Sequence, residues 1–599
     1  MTVQPSAIAV RWLVLAAPVT ALVAACATAP VDRPSQPEAS SAFRNGLATV
    51  TATRYMAASA NPLATEAGHE ILRAGGTAVD AAIAIQLVLG LVEPQSSGLG
   101  GGAFLMHWDG GRVVAYDGRE TAPMAADEKL FLLPDGKAMP FYDAVVGGRS
   151  VGTPGAVRLL EVAHRRHGKL AWARLCEPAL RLADTGFAMP PRLNKLLAAE
   201  KHLRSDPSAA TYFYQPDGTP KAVGTMVRNP DYAETLRAIQ AGGAKAFYEG
   251  AIAEDIVKAV RTHSNAGGLA ESDLAAYEVK AREAVCTDYR QWRVCGMPPP
   301  SSGGVAVAQM LGMFSVRNIG VVPPVTVNGK LEPQANAVHL FSEAGRLAFA
   351  DRGQYLADSD FVPVNVAGLV DAAYLKQRAQ LITDRSMGTA KPGVPPGTRA
   401  AFAPDDSPVK TSTSHISVVD SFGNALSMTT TIEDVFGSRV MVRGFLLNNQ
   451  LTDFSFMPQT GGLPVANRVQ PGKRPRSSMA PTLVFDKASG EVVATVGSPG
   501  GSQIIGYVTK TLVGVMDWNL DVQQAISLPN FGSRNGPTEV EKGQVSSALI
   551  DALKARGHDV REIDMGSGLQ GIVRVRLPDG RMAWSGGADP RREGVALGD

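Results

Sequence analysis

Two hydroxyl-rich, β-branched segments separated by a short turn constrain this chain more than any other feature. Thr411-Ser-Thr-Ser-His-Ile-Ser-Val-Val-Asp420 precedes the turn-prone Ser421-Phe-Gly-Asn424, and Ala425-Leu-Ser-Met-Thr-Thr-Thr-Ile-Glu433 follows it. β-Branched residues suit a pleated surface and Gly-Asn suits a reversal, so the spacing predicts a β-hairpin. With residues 421–424 as the loop, Asp420 faces Ala425. Thr413 then lies opposite Ile432, with Thr431 and Glu433 as diagonal neighbours. A one-residue bulge would shift that register.

A threonine hydroxyl is a weak nucleophile unless a base takes its proton. His415 shares a strand face with Thr413 but need not reach its hydroxyl. The residue's own α-amine is the other available base, with an ordinary pKa of roughly 7.7–8.0. That amine exists only if the Ser412–Thr413 bond is broken, so cleavage would be activation. A plain strand threonine is the alternative on composition alone.

With 45% hydrophobic and 19% charged residues in 599, the chain can bury a large core, and one large unit is expected. The 58 basic and 56 acidic residues give a net charge of +2 without runs of either sign, which disfavours nucleic acid as a partner. Arg11 followed by the apolar stretch Trp12 to Ala25 has the form of an export signal over residues 1–26. It ends in Val23-Ala24-Ala25-Cys26, which is similar to a bacterial lipobox with Cys26 as the acylated residue; a plain signal peptide is the alternative. Residues 27–47 are expected to form a flexible tether rich in Ala, Pro and Ser.

Cys286 and Cys295 bracket eight residues that can turn back on themselves, so in an oxidising compartment the two can pair; two buried thiols are the alternative. Cys176 is expected in the core. No HExxH or mixed His/Cys pattern supports a catalytic metal.

Between Asn61 and Leu91 the apolar spacing predicts core-packed helices broken at Gly75-Gly76. Glu93-Pro-Gln-Ser-Ser-Gly-Leu-Gly-Gly-Gly102 is a loop whose glycines permit close backbone approach, but no Gly-Lys-Ser/Thr follows to make a nucleotide cradle. Residues 155–280 read as amphipathic helices. Val305 to Met313 is expected to be helical. The Pro- and Gly-rich stretch from Gly388 to Val409 tolerates cutting.

Four segments, in chain order, bring a family into view. They are Thr413-Ser-His-Ile-Ser-Val-Val-Asp-Ser-Phe-Gly-Asn-Ala, Phe445-Leu-Leu-Asn-Asn-Gln450, Gly472-Lys-Arg-Pro-Arg-Ser-Ser-Met-Ala-Pro-Thr482 and Gly497-Ser-Pro-Gly-Gly-Ser502. They closely resemble the small-subunit motifs of γ-glutamyltransferases. Ile71 to Ala82, Gly100-Gly-Gly102, Asp117-Gly-Arg-Glu-Thr-Ala-Pro123 and Met297 to Gly304 resemble those of the large subunit, so the resemblance runs from about residue 48 to the C-terminus.

It implies an α+β fold, the four-layer αββα sandwich of N-terminal-nucleophile hydrolases. It also implies self-cleavage between Ser412 and Thr413 into a large subunit of residues 48–412 and a small subunit of residues 413–599, which stay together as a heterodimer. No cofactor is implied. Thr413 would attack the γ-amide of glutathione or a related donor, and the γ-glutamyl ester would pass to water or to an amino acid or peptide. Thr431 corresponds to the position supporting the nucleophile. Gly500 and Gly501 would supply oxyanion amides. Arg119, Ser477 and Ser478 would receive the α-carboxylate, and Glu433, Gln450 and Asp453 the α-ammonium.

Two departures from the family pattern stand out. Glu433 stands where many members have asparagine, and Gln450 where some have an acid. The segment between Asp453 and Ser477 is short for a lid and lacks the expected aromatic. The expected enzyme is thus exported and periplasmic, lipid-anchored at Cys26. A cephalosporin (glutaryl) acylase-like amidohydrolase is the nearest alternative, and a non-catalytic lipid-anchored binding protein the second.

Overall fold

The computed structural model describes residues 1–2, 43–398, 402–405 and 412–599. The export signal, Cys26, most of the tether and part of the Gly388–Val409 stretch lie outside the described residues. Within the expected tether, Arg44 is already fastened to the C-terminal loop: its amide donates to Pro590 O at 2.9 Å and its guanidinium to Asp589 O. Packing therefore begins before residue 47.

Two seven-stranded antiparallel sheets form the centre. The first runs Val595–Gly598, Met56–Ser59, Ser412–Val419, Ala425–Glu433, Gly102–Trp108, Val113–Gly118 and Lys280–Arg282. The second runs Val50–Ala52, Met582–Ala588, Gln570–Arg576, Val492–Gly497, Thr482–Asp486, Trp292–Gly296 and Val285–Tyr289. The sheets face each other through strands such as Ala425–Glu433 and Val492–Gly497, and helices cover both outer faces. This is the expected αββα sandwich. Each sheet pairs strands from both sides of the Ser412–Thr413 bond, so a cut there would leave two pieces sharing one core.

The helix Ala78–Val92 shows why the layers hold. All fifteen residues are buried, as befits a helix apolar on every side, and Thr77 and Asp80 close its N-terminus in a reciprocal capping box. The preceding helix, Pro62–Arg73, ends before the Gly75-Gly76 break, with Gly75 at φ 84°. Residues 155–280 are mainly helices, and Gly303–Val316 contains the expected 305–313 helix. The Gly-rich loop approaches its own chain rather than a phosphate: a side chain at Gly101 would collide with the carbonyl of Thr431.

Cys286 and Cys295 are directly opposite in adjacent strands and joined by a disulfide, while Cys176 is buried and free. Among the described residues, no helix is long and apolar enough to cross a membrane.

Candidate active site

The hairpin is present with a corrected register. Val419, not Asp420, faces Ala425, and Asp420 closes the turn by accepting from Phe422 N and Asn424 N. These side-chain bonds lengthen the loop by one residue. A bulge between Ser412 and Ser414 then offsets the slip: Ser414 pairs with Thr430 and Ser412 with Glu433. Thr413 consequently stands against Thr431 as well as Ile432, rather than directly opposite Ile432 alone.

Thr413 and Thr431 are both buried, and the Ser412 carbonyl lies between their hydroxyls. Thr413 Oγ1 donates to Ser412 O at 2.5 Å, Thr431 Oγ1 donates to the same oxygen at 2.7 Å, and the two hydroxyls are 3.4 Å apart. Thr431 Oγ1 in turn accepts from Glu433 N at 2.8 Å. Ser412 is held from behind by the Glu93–Gly102 loop, its Oγ donating to Gln95 O at 2.7 Å. His415 faces away from this chemistry. Its ring contacts Thr429 Oγ1 and Ser417 Oγ, and burial pushes its pKa down to about 3.

One cleft is lined by Arg119, Thr413, Thr431, Glu433, Gln450, Asp453, Ser477, Ser478 and Gly501 together. Larger grooves, such as the apolar one at Trp292, Val493, Met516 and Met582, contain no comparable nucleophile and donors. Gly500 and Gly501 have φ of 134° and 55°, backbone that other residues adopt at a cost, and they lead into the helix Ile504–Met516. Neither amide donates to a protein acceptor among the described residues, which leaves both N–H groups available to an oxyanion.

The cleft sets a cation and an acid side by side. Arg119 Nη2 donates to Asp453 Oδ2 at 2.5 Å and its Nε to Pro475 O at 3.1 Å. Gln450 Nε2 also donates to Asp453 Oδ2, at 2.7 Å, while Gln450 Oε1 is buried without a partner. That orphan is an acceptor available to an ammonium. Glu433 holds φ 81°, unusual for a non-glycine residue, and is bonded by Asn449 Nδ2. Burial, then the Asp453 and Asp434 carboxylates, raise the Glu433 carboxyl well above its ordinary value, against the pull of Asn449 and Arg119.

Sequence reasoning missed several groups here. Asn449, inside the Phe445–Gln450 motif, bonds Glu433 and Thr452 Oγ1. Glu120, beside Arg119, keeps both carboxylate oxygens buried without a hydrogen bond, and burial raises its pKa to about 8. Arg352 donates to Ser478 Oγ at 2.8 Å and to Ser302 Oγ at 2.9 Å. A cation next to serine hydroxyls has no local sequence signal when it comes from a helix more than a hundred residues away.

A His339, Glu343 and His558 cluster lies outside the cleft. The two imidazoles hydrogen-bond each other at 2.8 Å, and the Glu343 oxygens accept from Arg346 and Met387 N. Its ligand atoms are thus already occupied by protein groups.

Residues 64–599 match the family model described as Gamma-glutamyltranspeptidase. The chain belongs to that family. It is 35% identical to a glutathione hydrolase proenzyme of Bacillus subtilis (strain 168) over 91% of each chain. It is also 34% identical to an acylase ACY 1 proenzyme of Pseudomonas sp. (strain SE83), covering 91% of this chain and 93% of that one. Among solved structures, the cephalosporin acylase from Bacillus halodurans is similar at a TM-score of 0.79 and 26% identity, covering 93% of this chain and 98% of that one. Family membership and the αββα architecture therefore agree with the site.

Proposed function

We propose that this chain is a γ-glutamyltransferase and glutathione hydrolase that matures by cutting itself between Ser412 and Thr413. The observation that carries this reading is the placement of the Ser412 carbonyl between the Thr413 and Thr431 hydroxyls, inside a cleft with a carboxylate receptor and an ammonium receptor.

In maturation, Thr413 Oγ1 attacks the Ser412 carbonyl carbon and the Thr431 hydroxyl stabilises the developing oxyanion. The C–N bond breaks, the proton passes to the departing nitrogen, and an ester links Ser412 to the Thr413 side chain. Water hydrolyses that ester. Residues up to Ser412 end in a carboxylate, and Thr413 gains a free α-amine together with its hydroxyl.

In turnover, the amine accepts the hydroxyl proton as Thr413 attacks the donor's γ-carbonyl. The amides of Gly500 and Gly501 receive the oxyanion. The leaving amine takes the proton, and the γ-glutamyl ester passes to water or to an amino acid or peptide. Arg119, Ser477 and Ser478 take the donor's α-carboxylate, and Asp453, Glu433 and Gln450 its α-ammonium. The Arg119–Asp453 pair prefigures this arrangement, each member facing the substrate charge opposite to its own.

Residues 413–599 would form the small subunit and residues 48–412 the large one, joined as a heterodimer without a cofactor. The lipobox-like Val23-Ala24-Ala25-Cys26 supports export and anchoring at Cys26 on a bacterial membrane facing the periplasm.

The likeness to a cephalosporin acylase supports a second reading, glutaryl-amide hydrolysis. Release of p-nitroaniline from γ-glutamyl and glutaryl donors separates the two. Higher kcat/KM on the γ-glutamyl donor is expected, and preference for glutaryl would reject the first reading.

A further inference from the structure

Two motifs lie close behind the cleft without contributing a side chain to it. One is the Met297–Gly304 loop, and the other is the end of the helix Ala335–Tyr355, which carries Arg352. They meet at the two serines. Ser302 N and Ser302 Oγ both donate to Ser477 O, at 2.8 and 2.6 Å, while Ser301 Oγ donates to Met479 O at 2.6 Å. The loop thereby clamps the Ser477–Met479 backbone.

Arg352 completes the clamp. Its Nε donates to Ser302 Oγ and its Nη2 to Ser478 Oγ, and its residue is buried. Among the described residues no carboxylate lies within 4 Å of this guanidinium. The two acids whose field reaches it have other partners: Asp405 accepts from Arg476 and Asn467, and Asp453 from Arg119 and Gln450. A buried guanidinium without a partner carboxylate is costly unless it acts on something else.

The hydrogen-bond directions show what that is. A serine hydroxyl has one proton. Ser302 gives its proton to Ser477 O and accepts from Arg352, so its orientation is fixed. Ser478 accepts from Arg352 and has no protein acceptor among the described residues for its own proton. That proton is free to point into the cleft that Ser478 lines. Arg119, the cation that lines the cleft, is meanwhile partly neutralised by Asp453.

We propose that Arg352 is a positioning residue and a second, rear cation of the carboxylate-binding end of the cleft. It makes Ser478 an obligatory donor and adds positive charge behind it, selecting donors that bear a carboxylate at that end. This rests on the γ-glutamyl reading for its substrate, but not for its test, because glutaryl donors bear a carboxylate too.

The experiment uses the mature enzyme with γ-glutamyl p-nitroanilide and 4-aminobutyryl p-nitroanilide, which lacks only the α-carboxylate. Arg352→Met is expected to raise KM for the first donor about tenfold or more with kcat within about threefold, because a hydrogen bond to a charged group is lost. The ratio of kcat/KM between the donors should collapse by a similar factor. Arg352→Lys should restore part of it, and in a Ser478→Ala background the Arg352→Met change should be smaller than in the wild type, leaving only its charge contribution. Equal losses on both donors, or an unchanged ratio, would overturn the proposal. If Arg352→Met does not mature, Arg352→Lys and Ser302→Ala carry the same comparison. If the wild-type enzyme prefers glutaryl donors, the γ-glutamyl reading fails. The ratio between glutaryl and butyryl p-nitroanilides then reads Arg352 with the same expected collapse.

Discussion

The Thr431 hydroxyl donates to the carbonyl oxygen of Ser412 at 2.7 Å, on the residue whose bond to Thr413 is the proposed cleavage site. Its acceptor role towards Glu433 N fixes the direction of its only proton. In the proposed maturation Thr431 therefore acts first as an oxyanion donor in the intact chain. Thr431→Val should slow self-cleavage by about 10²–10³-fold, the usual effect of deleting one such donor, and Thr431→Ser should restore most of it. Following the disappearance of the full-length band with time checks this; cleavage of Thr431→Val at the wild-type rate would remove Thr431 from maturation.

Arg119 offers a fork that a lysine cannot imitate. Its Nη2 and Nε have separate partners, Asp453 and Pro475 O. Arg119→Lys is expected to raise KM for glutathione roughly tenfold or more with a smaller change in kcat. Steady-state kinetics at fixed pH measures both, and an unchanged KM would exclude Arg119 from carboxylate binding.

The raised Glu433 pKa predicts a pH dependence in donor binding. Below that pKa Glu433 is neutral and attracts an ammonium weakly; as pH rises through it, the carboxylate forms and KM falls. Glu433→Gln should flatten KM against pH while leaving the rise of kcat that follows deprotonation of the Thr413 amine. A KM profile identical to that of the wild type would contradict the role given to Glu433.

The Cys286–Cys295 bridge closes a short loop at the edge of the second sheet, whereas the nucleophile strand lies in the first. Replacing both cysteines with serine should lower stability by about 2–3 kcal/mol, as loop-closure entropy predicts for a short loop. Cleavage and kcat should persist. Denaturant melts with and without reductant test the first expectation, and gel electrophoresis the second.

Much of the cleft was legible because its residues occur in compact, ordered motifs. Thr413, Thr431, Arg119, Asp453 and the two serines all arrive at one place. The hairpin register was harder. Asp420 spends its carboxylate on the turn, which lengthens the loop, and the bulge beside Thr413 depends on neighbours that period-two counting ignores. Arg352 was illegible for another reason: its contact with Ser478 spans 126 residues and joins a helix to a loop. Likewise, Gln95 holds Ser412 through a backbone carbonyl, which leaves no trace in residue type. Sequence pattern reports local periodicity and chemistry, whereas these positioning contacts arise only when both sheets have assembled.

The most direct test of the mechanism is intact mass together with N-terminal sequencing of the small fragment from active enzyme and from Thr413→Ala. The wild-type fragment should comprise residues 413–599 and begin with a free Thr413 amine, and the variant should remain whole and inactive. Full turnover by a chain still joined between Ser412 and Thr413 would contradict the account.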